Sequence, residues 1–192
     1  MTVKQKFQKG FTLLETLVAV MILATAVAGP LSIASRSLNT SLIAKDQITA
    51  FFLAQEGVEY VRFVRDSNRL LGADWITGSG GTSAGISIAP CVYDINTNPI
   101  GCYVDSTTNS PSGQGDVPTS CGATSCPVMY YNSTSGLYTY NTSATTKTIF
   151  TRQIVLTTIS SNEYKLTVSV SWSDLGNVVR RVTIYENIYK WQ

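Results

Sequence analysis

Apolar residues dominate the chain from Phe11 onward, and no charge interrupts it between Thr16 and Ser35. As an α-helix that charge-free stretch spans about 30 Å at 1.5 Å per residue, which is one bilayer crossing. Beyond Ser35 the pattern turns amphipathic. Ala44, Ile48, Phe51, Ala54, Val58, Val61 and Val64 recur at three- and four-residue intervals, and Lys45, Gln55, Glu56, Glu59, Arg62 and Arg65 fall off that stripe. The spacing predicts one long helix from about Thr12 into the Asp66-to-Gly72 region, with Asn68 or Gly72 as stop residues. Glu59 and Arg62 can pair across one turn. Gly57, beside the seam, weakens the helix by about 1 kcal/mol relative to alanine but lets another element come close. Gly29-Pro30 falls inside the apolar part, and proline removes the donor that the Ala26 carbonyl needs. A kink or a short unwound stretch is expected there.

From about Ala73 the period changes to two. Tyr164, Leu166, Val168, Val170 and Trp172 alternate with Lys165, Thr167, Ser169 and Ser171, the mark of a strand with one covered face. Asp174-Leu175-Gly176-Asn177 supplies turn chemistry before a partner strand, Val178 to Tyr189. Thr148 to Ile159, rich in β-branched residues, reads as a third strand. Val128 to Tyr131 and Leu137 to Tyr140 bracket Asn132 to Gly136 as a further hairpin. The stretch from Gly78 to Gly85 reads as a flexible loop; no Gly-Lys-Ser/Thr follows it, so it is no phosphate loop. Asp105 to Ser125 is nearly all Ser, Thr, Gly, Asn and Pro around Cys121. The fold class is α+β: a long N-terminal helix, transmembrane then amphipathic, whose seam is covered by an antiparallel β-meander head. The divisions are a basic segment over 1–10, an apolar helix over 11–35, its amphipathic continuation over 36–72 and the head over 73–192.

Charge adds an asymmetry. The formal charge of +2 hides Lys4, Lys6 and Lys9 in the first ten residues, and without them 11 basic residues face 12 acidic ones. By the positive-inside rule the Phe11 end stays cytoplasmic and everything after about Ala34 lies outside. No basic excess is left to support nucleic-acid binding. Arg180 and Arg181, neighbours in a strand, point to opposite faces and make a poor phosphate clamp. Tyr130, Tyr131, Tyr138 and Tyr140 either half-cover a small sheet or offer an aromatic surface to sugars or partners. The chain has no histidine, and nothing positions a nucleophile or a cofactor, so the pattern does not indicate an enzyme. Four cysteines, Cys91, Cys102, Cys121 and Cys126, fall in the middle of the chain. An even count in a loop-rich stretch points to disulfides in an extracytoplasmic setting, and the spacings do not match zinc knuckles. Short loop closure favours Cys91 with Cys102 and Cys121 with Cys126.

Three readings compete for the apolar segment: a cleaved secretory signal ending at Ala24-Thr25-Ala26 or Ala26-Val27-Ala28, a plain membrane anchor, or a buried core helix. Glu15 decides between them, because a carboxylate inside an apolar helix costs about 3 kcal/mol and usually faces a partner. Around it, Lys9-Gly10-Phe11-Thr12-Leu13-Leu14-Glu15 resembles the leader junction of type IV prepilins and of the pseudopilins of type II secretion. Ala50 to Asn68 resembles the corresponding region of minor-pilin-like members.

That resemblance implies a pilin-like roll and a prepilin peptidase, a membrane-embedded aspartyl enzyme, that cuts after Gly10 and methylates the new amino terminus at Phe11. It makes 1–10 a leader and 11–35 a transmembrane, then filament-core, helix. The implied partners are other pilin or pseudopilin subunits, an inner-membrane assembly platform, and membrane lipid before assembly. The implied location is the inner membrane, then an extracellular pilus or a pseudopilus. Helix disruption near Gly29-Pro30 is associated in the family with packing and extensibility. Cleavage leaves an ammonium at Phe11 that is expensive to bury without an opposite charge, and Glu15 lies about one turn away. In the family that glutamate is thought to pair with the amine of a neighbouring subunit; the alternatives are a pair within its own chain or snorkelling to the headgroups. Other functional readings are a pilus-tip binding module, adhesin or DNA-capturing, and a simple single-pass anchored protein. Peptide mapping with and without reductant tests the cysteine pairing: two short internally linked loops are expected, and a crossed pair overturns it.

Overall fold

The structure, a computed structural model, describes residues 10–107, 117–122, 124–143, 145–174 and 176–190. Lys4, Lys6 and Lys9, the 108–116 part of the Ser/Thr-rich loop and Leu175 of the predicted turn lie outside the described residues. The chain divides into two compact units, 1–45 and 46–192. One helix, α1 (Leu13–Leu70), supplies residues to both. A single 3-10 turn (Ala89–Cys91) follows, then β1 (Cys102–Tyr103), β2 (Thr119–Ser120), β3 (Val128–Asn132), β4 (Leu137–Thr139), β5 (Thr146–Ser160), β6 (Glu163–Ser173) and β7 (Val179–Tyr189).

In the first unit α1 is helical straight through Gly29-Pro30, without the unwound stretch that the missing donor allows. Its scattered hydroxyls are satisfied internally. Thr25 donates to the Met21 carbonyl at 3.1 Å, Ser35 to that of Leu31 at 3.0 Å and Thr40 to that of Arg36 at 3.0 Å. Back-bonding of this kind lets Ser and Thr sit in an apolar helix without an unpaired polar group. An 18-residue window of the helix has mean hydropathy 2.2 and none of it is buried within the chain, which makes the helix long and apolar enough to cross a membrane.

In the second unit α1 lies on one face of an all-antiparallel sheet. The predicted stripe holds only in its later half. Ala54, Val58, Val61 and Val64 are buried, whereas Ala44, Ile48 and Phe51 are exposed. Its spacing averages about 3.3 residues against 3.6 per helical turn, so the stripe rotates by roughly 160° along its length. The covered face is set instead by Ala50, Leu53, Ala54, Gly57, Tyr60, Val61 and Val64, with Asn68 at its end. β5, β6 and β7 form the expected meander, paired from Thr151↔Ser171 and Trp172↔Arg180 to Glu163↔Tyr189. The rest is not a meander. β3 takes the other edge of β5 at Thr146 to Thr151, and β4 lies outside β3, so the chain leaving β4 must return past β3 to begin β5. β1 takes the same edge at Ile154, with β2 outside it.

The helix ends on a Schellman motif. Gly72 adopts φ +67°, its N–H donates to the Arg69 carbonyl at 3.0 Å, and the Ala73 N–H reaches the Asn68 carbonyl at 2.9 Å. Asn68 is buried, and its side chain acts as a strand-like partner for the next segment: Nδ2 donates to the carbonyls of Ile86 (2.8 Å) and Trp75 (3.3 Å), and Oδ1 accepts from the Ile86 N–H (2.9 Å). The Gly78-to-Gly85 stretch, expected to be flexible, is therefore stitched down. Thr82 N–H bonds the Leu71 carbonyl and Gly85 N–H that of Gly78, each at 3.0 Å. Disulfides join Cys91 to Cys102, tying the 3-10 turn to β1, and Cys121 to Cys126.

Alternation along β5 buries Phe150, Arg152, Ile154 and Leu156, and it places a guanidinium in the helix–sheet seam. Arg152 Nη1 donates to the Leu53 carbonyl at 3.1 Å and lies 3.4 Å from the Glu56 carboxylate; Nη2 donates to the Val104 carbonyl at 2.7 Å. Gly57 makes room for it, since an added Cβ would stand 3.4 Å from Arg152 Cδ and 3.0 Å from Val168 Cγ1. Ser106 donates to Glu56, and Asp105 beside it accepts from Thr139 Oγ1 and the Tyr140 N–H, each at 2.6 Å, and from Thr107 Oγ1 at 2.7 Å. Burial pushes the Asp105 carboxyl pKa up, but these hydrogen bonds outweigh it and hold the group below the ordinary carboxylate value. Burial also raises the Tyr140 hydroxyl to about 12, with the charge of Arg152 pulling the other way.

Two outcomes are expected from unfolding measurements followed by tryptophan fluorescence. Arg152→Ala leaves the Val104 carbonyl unpaired and a gap in the seam, and is expected to lose about 3 kcal/mol, with Gly57→Leu losing about 1–3 kcal/mol by overpacking and Glu56→Gln under about 1 kcal/mol. Equal effects for Arg152→Ala and Glu56→Gln would refute the buried role of the guanidinium. Asp105, with its folded pKa below its unfolded value, contributes stability that is present above about pH 4 and lost as pH falls through the folded pKa. The stability difference between wild type and Asp105→Asn should therefore be full at pH 7 and shrink toward pH 3; a difference independent of pH contradicts this.

Candidate assembly site

Three sequence-predicted site residues, Gly10, Phe11 and Glu15, fall together where α1 begins. Gly10 and Phe11 are exposed and precede the helix, and Thr12 is the residue before its first turn. Thr12 caps it: the Glu15 N–H donates to the Thr12 carbonyl at 3.0 Å and to its Oγ1 at 3.3 Å. Capping satisfies a donor that the first turn leaves open, and the carboxylate at the third helical position suits the positive end of the helix dipole. A capping box would also turn the Glu15 carboxylate back onto the Thr12 N–H. It does not do so here: the carboxylate has no hydrogen bond or ion pair among the described residues. It stands exposed on a shelf it shares with Leu14, Val18, Ala19 and Ile22. The capping role of Thr12 escaped the pattern reading, although Thr-Leu-Leu-Glu has the threonine-x-x-glutamate spacing that announces it.

The start of α1 presents a carboxylate, without a hydrogen bond or ion pair among the described residues, on an apolar surface beside the exposed Gly10 and Phe11. Gly29 and Pro30 lie on the same exposed helix, and a side chain at Gly29 would meet nothing within 4 Å. The cysteines belong to the head and take no part in this site.

Among the described residues, neither the arginine pair nor the tyrosine cluster weighed from sequence forms a converged site. Arg180 is held by Asp174 at 2.9 Å, while Arg181 is on the opposite face of β7, so the two guanidinium groups do not converge. Tyr138 and Tyr140 pack into the head, and Tyr131 leans on Tyr138 while staying exposed. Tyr131 packs on Tyr138 at 5.3 Å between centroids, Tyr138 on Phe150 at 6.1 Å and Phe150 on Trp172 at 6.1 Å, while Tyr140 stacks on Tyr103 at 4.7 Å. They cover the sheet edge next to the helix.

Over residues 5–29 the chain matches the family model described as the prokaryotic N-terminal methylation motif. No curated protein and no solved structure matches it. The matched segment contains Gly10, Phe11, Thr12, Glu15 and Gly29, the capped start of α1 and its unpaired carboxylate included. That segment carries the prokaryotic N-terminal methylation motif, and the match supports the resemblance to type IV pilins and pseudopilins.

Proposed function

We propose that the chain is a structural subunit, of the minor kind, of a type IV pilus or a type II secretion pseudopilus. The observation that carries the reading is the methylation motif at the head of a helix whose first part is apolar and exposed along its whole length. In this mechanism the prepilin peptidase cuts after Gly10 and methylates Phe11, with Lys4, Lys6 and Lys9 on the cytoplasmic side. The helix rests in the inner membrane with the head outside until an assembly platform draws it into a filament. There its apolar surface leaves lipid for the helices of other subunits, where close packing drives association because lipid tails are as apolar as the side chains. The ammonium at Phe11 enters that apolar core only against a compensating anion, and the Glu15 carboxylate of an adjacent subunit supplies it, which sets the axial register. Gly29-Pro30, with one backbone hydrogen bond fewer than its neighbours, is the point at which the helix bends to fit.

Intact mass and N-terminal sequencing of protein from its native host test this directly. A chain beginning at methylated Phe11 is expected; one that keeps Met1, or begins past Ala26 or Ala28, overturns the reading in favour of ordinary anchoring or export. Glu15→Val should still be processed and inserted but should enter filaments about tenfold less, the loss that an uncompensated buried charge implies. Normal stoichiometry in filaments would contradict the register role.

A further inference from the structure

The outward face of the sheet carries a cavity that the assembly reading does not use. Thr151, Ser171 and Arg181, one cross-strand row, form its floor with Gln153 and Ser169 of the next row, which Thr183 completes outside the cavity. Its wall is Thr124 to Cys126, the end of the loop closed by the Cys121–Cys126 disulfide, and the cavity volume is ≈ 220 Å³. Small hydroxyl side chains leave the floor low, and the loop rises beside it.

Charge makes the cavity specific. Arg62, Arg65, Arg152 and Arg180 each meet a carboxylate. Arg181 meets none among the described residues, and no acidic side chain is among those lining the cavity. A guanidinium presents paired N–H donors whose geometry matches a carboxylate. The Thr151 and Ser171 hydroxyls beside it both donate and accept. The Gln153 amide is fixed by its Nε2 bond to the Ile100 carbonyl at 2.6 Å, which leaves its oxygen to accept. Ser169 and Thr183 are 3.1 Å apart and bond each other, forming a settled floor.

We infer that this cavity binds an acidic monosaccharide, a sugar ring whose carboxylate is held by Arg181 and whose hydroxyls are held by Thr151, Ser171 and the Gln153 oxygen. Three features select that ligand class. The volume is below the roughly 300 Å³ at which drug-sized sites begin, so it suits one ring-sized group. A single cation does not hold a nucleic-acid backbone, which takes several lysines or arginines. Hydroxyl and amide side chains outnumber the one aliphatic side chain of the lining, Ile100, which suits a polyol ring better than the side chain of a peptide C-terminal residue. The inference stands apart from the filament reading and its test needs no filament.

The test uses the full chain in a non-saccharide detergent, with saturation-transfer NMR on D-glucuronate, D-glucose and acetate as probes. Saturation of glucuronate is expected, with glucose and acetate binding at least about tenfold more weakly, because each supplies only half of the paired recognition. Arg181→Ala should weaken glucuronate binding by about tenfold or more, and Lys147→Ala, an exposed cation elsewhere on β5, should leave it unchanged. Ser171→Leu fills the floor and keeps the cation, so it should abolish binding in a chain whose circular dichroism and disulfide map are those of wild type. That variant decides the matter if Arg181→Ala does not fold. Absence of glucuronate saturation, equal binding of acetate or of glucose, or unchanged affinity in a folded Arg181→Ala or Ser171→Leu chain overturns the inference.

Discussion

At Gly57 the helix and the sheet come as close as backbone and side chain allow, with the place of a missing Cβ only 3.0 Å from Val168. That approach lets Arg152 reach past the helix surface to the Leu53 carbonyl while its second arm holds Val104. A guanidinium taken from water is costly unless its donors find acceptors. Here the acceptors belong to two segments distant in sequence, the helix with the Leu53 carbonyl and the Glu56 carboxylate and the loop with the Val104 carbonyl, so the charge is tolerated only when both are in place. The seam is selective for that reason: a shifted strand or a rotated helix leaves a buried cation unpaired, and an apolar side chain at 152 would impose no such condition.

The same helix lives under two regimes of burial. Its second part is covered by its own chain, through apolar packing and through the Arg62 bridge to Glu186 on β7 at 2.7 Å. Its first part is exposed among the described residues, and its side chains are as apolar as those of a core. One helix thus contains both an intramolecular interface and a surface that has to be covered by lipid or by another molecule. The composition of the two parts differs in one respect that fits this division. The covered part carries charges on its outer face, and the uncovered part carries only Glu15 from Leu13 to Ser35.

Periodicity made most of this legible before any coordinates. The alternation from Tyr164 to Trp172 located β6 and its covered face, and the Asn132-to-Gly136 turn located the β3–β4 hairpin, because local chemistry alone decides those features. The helix was legible in extent but not in facing. A three- and four-residue spacing looks like a single seam over two turns and becomes a spiral over six, which is why Ala44 and Ile48 were assigned to the wrong side. The two-residue strands β1 and β2 carry no period at all, and only pairing with β5 makes them strands. Arg152 shared its parity with Phe150, Ile154 and Leu156, so the alternation did point it inward; what it met there depended on Gly57 and Val104, which no local pattern connects. Asn68 reads locally as a stop signal, yet its side chain is the partner of a segment eighteen residues on. At the assembly site the junction residues were visible in sequence, and the cap at Thr12 was overlooked although its spacing was present.

Both disulfides are local, linking cysteines 11 and 5 residues apart, and neither joins the helix to the sheet. Closing loops that short removes little freedom from the rest of an unfolded chain. The topology of the head is thus specified by packing and strand pairing. Thiol chemistry, whenever an oxidant reaches the chain, only finishes loops whose ends the sheet has already set side by side.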